Sequence, residues 1–255
     1  MKRGRRGHRR RDGGDESLLV GGPHAVEAAI GDPAGLIEVM VEHPAPRRAA
    51  ALAERARAAG VAVRAVPQDS LDRMVGARSQ GIAARILYRY ADFDSLLADP
   101  GVLVFLDGVA DPHNLGAIIR TAAAAGALGV VVPSRRAAGV TAVTMRVSAG
   151  TAATLPVARV TNLVRALEMA GEAGFWRIGL SQDAAGVLLP AGPEQRTGLV
   201  LGGEGSGLRP LVARTCDELV RLPMRGAVES LNVSVAAALA LYRVCENALF
   251  GPGAG

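Results

Sequence analysis

With 255 residues, 49% of them hydrophobic, and a mean hydropathy of +0.23, the chain has ample apolar material for a buried core and is neither disordered nor fibrous. It lacks a charge-free apolar run of about 18 residues and opens on an arginine cluster in place of an apolar leader, so a soluble, cytoplasmic protein with no membrane association is expected. Two cysteines, Cys216 and Cys245, and four histidines give neither a disulfide framework nor metal-ligand spacing, and no metal site is expected.

Lys2, Arg3, Arg5, Arg6, Arg9, Arg10 and Arg11 precede the first acid, Asp12. These seven positives exceed the formal net charge of +5 and leave about −2 for the remainder by subtraction. Residues 1–17 read as a basic disordered tail, suited either to phosphates or merely to solubility. An aromatic content of 3% argues against an RNA-binding sheet of stacking aromatics.

From Leu18 to Tyr88 the pattern predicts a small mixed unit. Strands are expected at 37–41, 61–66 and 81–87, and a helix over 47–59 stops at Gly60. Arg47, Arg48, Arg55 and Arg57 make that helix either an RNA-facing basic surface or an ordinary solvated one. Residues 89–99 turn polar and acidic, with Asp92, Asp94 and Asp99, and read as a linker. Over 100–255, short apolar strands at 102–106, 130–132, 176–180, 198–201 and 218–222 alternate with helical or loop stretches, which predicts an α/β domain with a parallel sheet. Ligand sites in such sheets lie beyond the carboxyl ends of the strands.

Three unusual segments fall at such positions: 107–120, from Asp107 through Asp111-Pro112-His113-Asn114 to Arg120; 202–208, Gly202-Gly203-Glu204-Gly205-Ser206-Gly207-Leu208; and 230–235, Ser230-Leu231-Asn232-Val233-Ser234-Val235. The glycine cluster fits no Walker A loop, no GxGxxG dinucleotide fingerprint and no GxSxG elbow, since Glu204 occupies the elbow's first glycine. What remains is a turn bearing one carboxylate, with glycines that permit close backbone approach to a ligand. Asn114 is expected near the start of a helix beginning about Leu115, with Arg120 about one and a half turns along. In its apolar surroundings Arg120 needs a partner, either a structural carboxylate such as Glu204 or a substrate. Ser230, Asn232 and Ser234 abut an apolar helix running to Leu249, so they are expected to be buried and to bond either neighbouring backbone or a bound ligand.

Taken in order, the three segments resemble the three motifs of the SpoU/TrmH family of RNA ribose 2′-O-methyltransferases, most nearly its members that methylate a guanosine of 23S rRNA. The resemblance implies a C-terminal SPOUT α/β domain with a deep trefoil knot, a small N-terminal L30e/L7Ae-like RNA-binding domain, and a homodimer. It implies S-adenosylmethionine as methyl donor and RNA, foremost 23S rRNA, as partner. Arg120 would be the main catalytic residue, with Asn114, Glu204, Ser230 and Asn232 completing its site. The donor would touch Gly202, Leu222 and Leu231, with Ser181, Met224 and Ser234 nearby. Where the family often has His-Gln-Gly, this chain has Ser79-Gln80-Gly81. A tRNA ribose methyltransferase, an rRNA-methylating resistance enzyme and a non-catalytic ribosome-assembly protein are the competing readings.

Overall fold

Runs of β-branched and aliphatic residues alternate with Ala-rich helices and build two sheets. The computed structural model describes residues 16–31, 35–76, 78–188, 195–225 and 230–250; the basic run at 2–11 lies outside them. The first unit comprises β1 (Glu16–Gly21), α1 (Pro23–Gly31), β2 (Leu36–His43), α2 (Arg47–Ala58), β3 (Ala62–Pro67), α3 (Ser70–Val75) and β4 (Ile82–Tyr88). Its sheet order is β1-β4-β2-β3, with β4 antiparallel to both neighbours and β2 parallel to β3. β1 begins at Glu16, inside the span read as tail.

α2 ends where Gly60 adopts φ +76 and its N–H returns to the Arg57 carbonyl at 2.9 Å. Its basic face is largely neutralised. Arg55 and Arg48 both reach Glu27, at 2.6 and 3.5 Å, and Arg57 pairs with Glu54. The arginines hold the Glu27 carboxyl below its usual range, Arg55 most strongly. The Ser79-Gln80-Gly81 turn is tightly built. Buried Ser79 donates its N–H and hydroxyl to Asp72, Gln80 sits at φ +54, and a Cβ on Gly81 would lie 2.6 Å from Pro46 Cδ.

The second unit contains α4 (Phe93–Leu96), β5 (Val102–Asp107), α5 (Pro112–Ala124), β6 (Gly129–Pro133), α6 (Ala142–Val147), β7 (Val157–Val160), α7 (Leu163–Glu172), β8 (Trp176–Leu180), β9 (Gly186–Val187), β10 (Thr197–Gly202), α8 (Pro210–Thr215), β11 (Glu218–Arg221), α9 (Val233–Val244) and α10 (Glu246–Phe250). Its seven strands run in the order β7-β6-β5-β10-β8-β11-β9 and every pairing is parallel. Strand β5 shows why its sequence is a continuous apolar run. Val102, Val104 and Leu106 join the core with α5 and α9, while Leu103 and Phe105 join the opposite core with α7 and α8. A strand covered on both faces has no reason to alternate. The short strands β7 and β9 have too few residues to stand out in the sequence.

The segment 89–99 is tied to the second sheet. Ala91 bridges Ala158, its N–H donates to Val157 O at 2.8 Å, and Leu96 is buried against the sheet. Tyr90 is half-buried at this junction: its hydroxyl accepts the Val140 N–H at 2.9 Å, its ring packs edge-on against Tyr88, and Arg159 lies over it. The larger apolar cluster runs without a break from Val20 and Val39 of the first unit to Val104 and Leu241 of the second.

Helix α9 departs from expectation. It ends at Val244, and only one face is buried, through Val233, Ala237, Ala240, Leu241 and Val244. Leu231, Val235, Leu239 and Tyr242 form an exposed stripe along the other side.

Helix α5, which carries the site, crosses α6 at Gly116. A Cβ there would sit 2.8 Å from Val147 Cβ and 2.9 Å from the Thr144 carbonyl oxygen. Gly116→Ala gains about 1 kcal/mol of helix propensity but overpacks a backbone contact costing roughly 1–3 kcal/mol. The variant should therefore be less stable than the parent by about 1 kcal/mol in urea denaturation.

Candidate active site

The site lies at the carboxyl ends of β5, β10, β8 and β11, four adjacent parallel strands. Helix α5 begins at Pro112, earlier than the sequence suggested, because Asp111 caps it. The Asp111 carboxylate accepts the His113 N–H at 2.8 Å and Pro112 occupies the first helical position, where its missing N–H is no loss. Asn114 thus stands in the first turn, and Arg120 lies about 1.7 turns further on.

Asn114 joins the three segments. Its amide nitrogen donates to Glu204 Oε1 at 2.5 Å, and its amide oxygen accepts Asn232 Nδ2 at 3.2 Å. Asn232 in turn caps α9, its oxygen accepting the N–H and hydroxyl of Ser234 at 2.9 and 2.6 Å. Glu204 also accepts the Ala110 N–H. Partial burial pushes the Glu204 carboxyl upward, but the donors from Asn114, its own backbone and Ala110 outweigh this and hold it below its ordinary value. It is an anion in the neutral range.

Arg120 is exposed, and among the described residues it makes no ion pair. Its proposed structural partner, Glu204, is bonded to Asn114 and Ala110 instead. The expected burial of segment 230–235 is also corrected. Ser230 and Asn232 are exposed, Ser234 is half-buried, and Ser230 has no hydrogen bond among the described residues. These groups lie at the rim of the apolar helix, where water reaches them in the single chain.

Of the other predicted residues, Gly202 ends β10, Ser181 follows β8 with its N–H donating to Val220 O at 2.9 Å, and half-buried Leu222 follows β11 against the core. Met224 lies two residues on, and Leu231 is 37% exposed ahead of α9. Strand adjacency brings Gly202, Ser181 and Leu222 to one edge, and Asn232 brings Leu231 and Ser234 toward Asn114.

Gly202 and Gly203 are small because of the protein's own backbone, while Gly205 and Gly207 take left-handed backbone and face open space. A Cβ on Gly202 would lie 2.0 Å from the Gly207 carbonyl carbon, and one on Gly203 would lie 2.4 Å from Gly108 O. The turn is folded onto itself and onto the β5–α5 junction.

Sequence reasoning assigned no role to the residue that secures this arrangement. Asp107, with a fully buried side chain, accepts the Arg209 N–H at 2.8 Å and its guanidinium at 2.6 Å, while its backbone carbonyl accepts the Gly203 N–H at 2.8 Å. Both ends of the Glu204 turn are thereby fixed to one residue. An acid closing an otherwise apolar strand, just ahead of a glycine, was the available signal. Among the described residues no His, Cys, Asp or Glu cluster could hold a metal, and no helix is long and apolar enough to cross a membrane.

Residues 101–242 match the SpoU rRNA Methylase family, and residues 19–90 match the family described as RNA 2′-O ribose methyltransferase substrate binding. The TrmH family tRNA/rRNA methyltransferase YacO of Bacillus subtilis, so named provisionally, is 41% identical over 212 residues, covering 80% of this chain and 85% of its own. Among solved structures, the SpoU methyltransferase AviRb of Streptomyces viridochromogenes superposes with a TM-score of 0.80 at 26% identity, covering 92% of this chain and 91% of that one. AviRb has also been solved in complex with the cofactor AdoMet. An rRNA methyltransferase of Sinorhizobium meliloti superposes with a TM-score of 0.76 at 26% identity over 92% of this chain and 88% of its own. The chain belongs to the SpoU methylase family, whose members in this comparison are tRNA and rRNA methyltransferases.

Asn114→Ala removes a principal donor to Glu204, so that carboxyl should titrate higher than in the parent, as read by carbon-detected NMR. A depressed carboxyl adds stability above its unfolded value, near the ordinary 4.5, and loses it as pH falls through the folded value. The variant should consequently lose less stability than the parent on acidification below that point. An unchanged Glu204 titration would show that Asn114 does not set it.

Proposed function

We propose that this chain is an S-adenosylmethionine-dependent RNA ribose 2′-O-methyltransferase acting on a guanosine of 23S rRNA in the bacterial cytoplasm. One observation carries the reading: hydrogen bonds through Asn114 unite Glu204 and Asn232 beside a helix whose Arg120 is left unpaired among the described residues. The family match and the structural likeness to AviRb support the class of reaction and the donor. The likeness to the S. meliloti rRNA enzyme over nearly the whole chain supports rRNA over tRNA.

The residues at the strand ends fit such a donor. Backbone groups of Gly202, Leu222 and Leu231 would supply donors and acceptors for adenine, Leu222 and Leu231 apolar contact, and the Ser181 and Ser234 hydroxyls with Met224 would complete the pocket. When bound, S-adenosylmethionine supplies an activated methyl group.

Arg120 then acts on the acceptor. A guanidinium stays protonated at neutral pH, so it is not the base that removes the hydroxyl proton. Its charge instead lowers the pKa of the 2′-hydroxyl and stabilises the forming alkoxide, while the proton leaves to water or a neighbouring phosphate. Asn114, held by Glu204 on one side and Asn232 on the other, fixes the start of the helix that bears Arg120. Ser230, at the exposed rim, completes the acceptor side. The remaining requirement is alignment of oxygen and methyl group.

The exposed stripe on α9 extends the proposal to two copies. Leu231, Val235, Leu239 and Tyr242, 37–51% exposed, make an apolar face of a kind that soluble proteins cover. A second chain seated there would also shield Ser230 and Asn232, giving them the buried surroundings that the sequence suggested. We further propose that the second unit carries the deep trefoil knot and the first unit an L30e/L7Ae-like fold.

Arg120→Ala should abolish methyl transfer to in-vitro-transcribed 23S rRNA, a loss of at least about a hundredfold, while leaving S-adenosylmethionine affinity within about twofold. Parallel loss of both would contradict the assigned role, and transfer to tRNA alone would select the tRNA reading. Leu239→Glu places a charge in the stripe and should yield a monomer in sedimentation velocity, with methyl transfer lost as well. A parent that already sediments as a monomer would refute the two-copy site.

A further inference from the structure

Three acids at the carboxyl edge of the large sheet are bonded within the chain, and a fourth, Asp183 beyond β8, is exposed. Asp107 is occupied by Arg209, Glu204 by Asn114 and Ala110, and Asp111 by the His113 amide. Arg135 and Arg136, in the turn after β6, are exposed and make no ion pair among the described residues.

That turn is fastened to the site. Ala138 donates its N–H to Val109 O at 2.8 Å, and the Arg136 carbonyl oxygen lies 4.0 Å from the position of a Cβ on Gly108. The Gly108 carbonyl in turn packs against Gly203, which precedes Glu204. Arg136 is thus separated from the Glu204 turn by a single backbone layer. Its own backbone is left-handed, with φ +56, a conformation costing a long side chain about 1 kcal/mol or more that glycine adopts freely. A solubilising arginine needs neither that geometry nor that location. An exposed, unpaired guanidinium beside a reaction site is the chemistry that grips a phosphate by paired hydrogen bonds.

We propose that Arg136, with Arg135 beside it, binds a backbone phosphate flanking the target ribose, a second grip on RNA distinct from Arg120. This rests on the RNA methyltransferase reading above. The donor's carboxylate is the other anion that the same group could hold.

Arg136→Gly tests this cleanly, because glycine relaxes the backbone there while deleting the charge. Binding of the full chain to in-vitro-transcribed 23S rRNA is measured from 50 to 300 mM salt, alongside calorimetry with S-adenosylmethionine. The variant should bind RNA roughly fivefold more weakly near 150 mM salt, and the slope of log affinity against log salt should flatten by about 0.7–0.9, the value for one lost phosphate contact. Arg136→Lys should restore most of that slope, and donor affinity should not move. Unchanged RNA affinity and slope in the glycine variant, with the parent binding normally, would overturn the inference. Loss of donor affinity with intact RNA binding would overturn it in favour of the donor's carboxylate. A parent chain that neither binds nor methylates RNA would overturn the functional reading and this inference together.

Discussion

The buried carboxylate of Asp107 is the constraint on which the site depends. A charge removed from water at the end of a parallel strand is tolerated only when hydrogen bonds surround it, and Arg209 supplies them from backbone and guanidinium alike. Because the Asp107 carbonyl also holds Gly203, the turn between 203 and 209 is pinned at both ends to one residue of β5. Glu204 therefore projects from a closed loop of fixed span, and Asn114 meets it from a helix that starts five residues after the same aspartate. Strand register completes the arrangement, since Gly202 is paired with Asp107.

This construction separates the two signs of charge by function. Asp107, Glu204 and Asp111 are bonded within the chain and act as internal struts. Arg120, Arg135 and Arg136 have no ion pair among the described residues and outnumber the one exposed acid without a partner there, Asp183. An anionic polymer approaching it meets attraction without having to displace existing ion pairs. On the first unit the balance is different, for Glu27 and Glu54 already occupy three of the four arginines of α2.

Much of this was legible in the letters. Strands β5, β8 and β10 are apolar runs of the right length, and the three polar segments that interrupt such runs supplied Asn114, Glu204 and Asn232, which the fold does bring into contact. The start of α5 was misplaced because Asp111-Pro112 serves as cap and first turn, a local signal that the apolar run beginning at Leu115 overshadowed. Segment 230–235 was assigned to the interior because its neighbours are apolar, whereas the surface stripe of α9 shows that an apolar helix can be buried on one side only within its own chain. Gly202 and Gly203 are packed against the backbone of Gly207, Leu208 and Gly108, whereas Gly205 and Gly207 face open space, so the room that the glycines suggest lies at the tip of the turn. Contacts between segments nearly a hundred residues apart leave no periodicity to read, and Asp107 was passed over for that reason.

The Tyr90 junction has a consequence for how substrates are measured. With Tyr90 bonded to Val140, Ala91 laddered onto Ala158 and one apolar cluster running through both units, the first unit is mounted on the second as a bracket is mounted on a wall. A tethered module would search a sphere and accept any geometry within reach of its leash. A mounted one would act as a caliper toward an RNA that touched both units: such an RNA would have to match their spacing or bend to be modified. Selectivity of this kind needs no base to be read at the distant jaw, because the shape of the RNA between the two points of contact becomes part of the address.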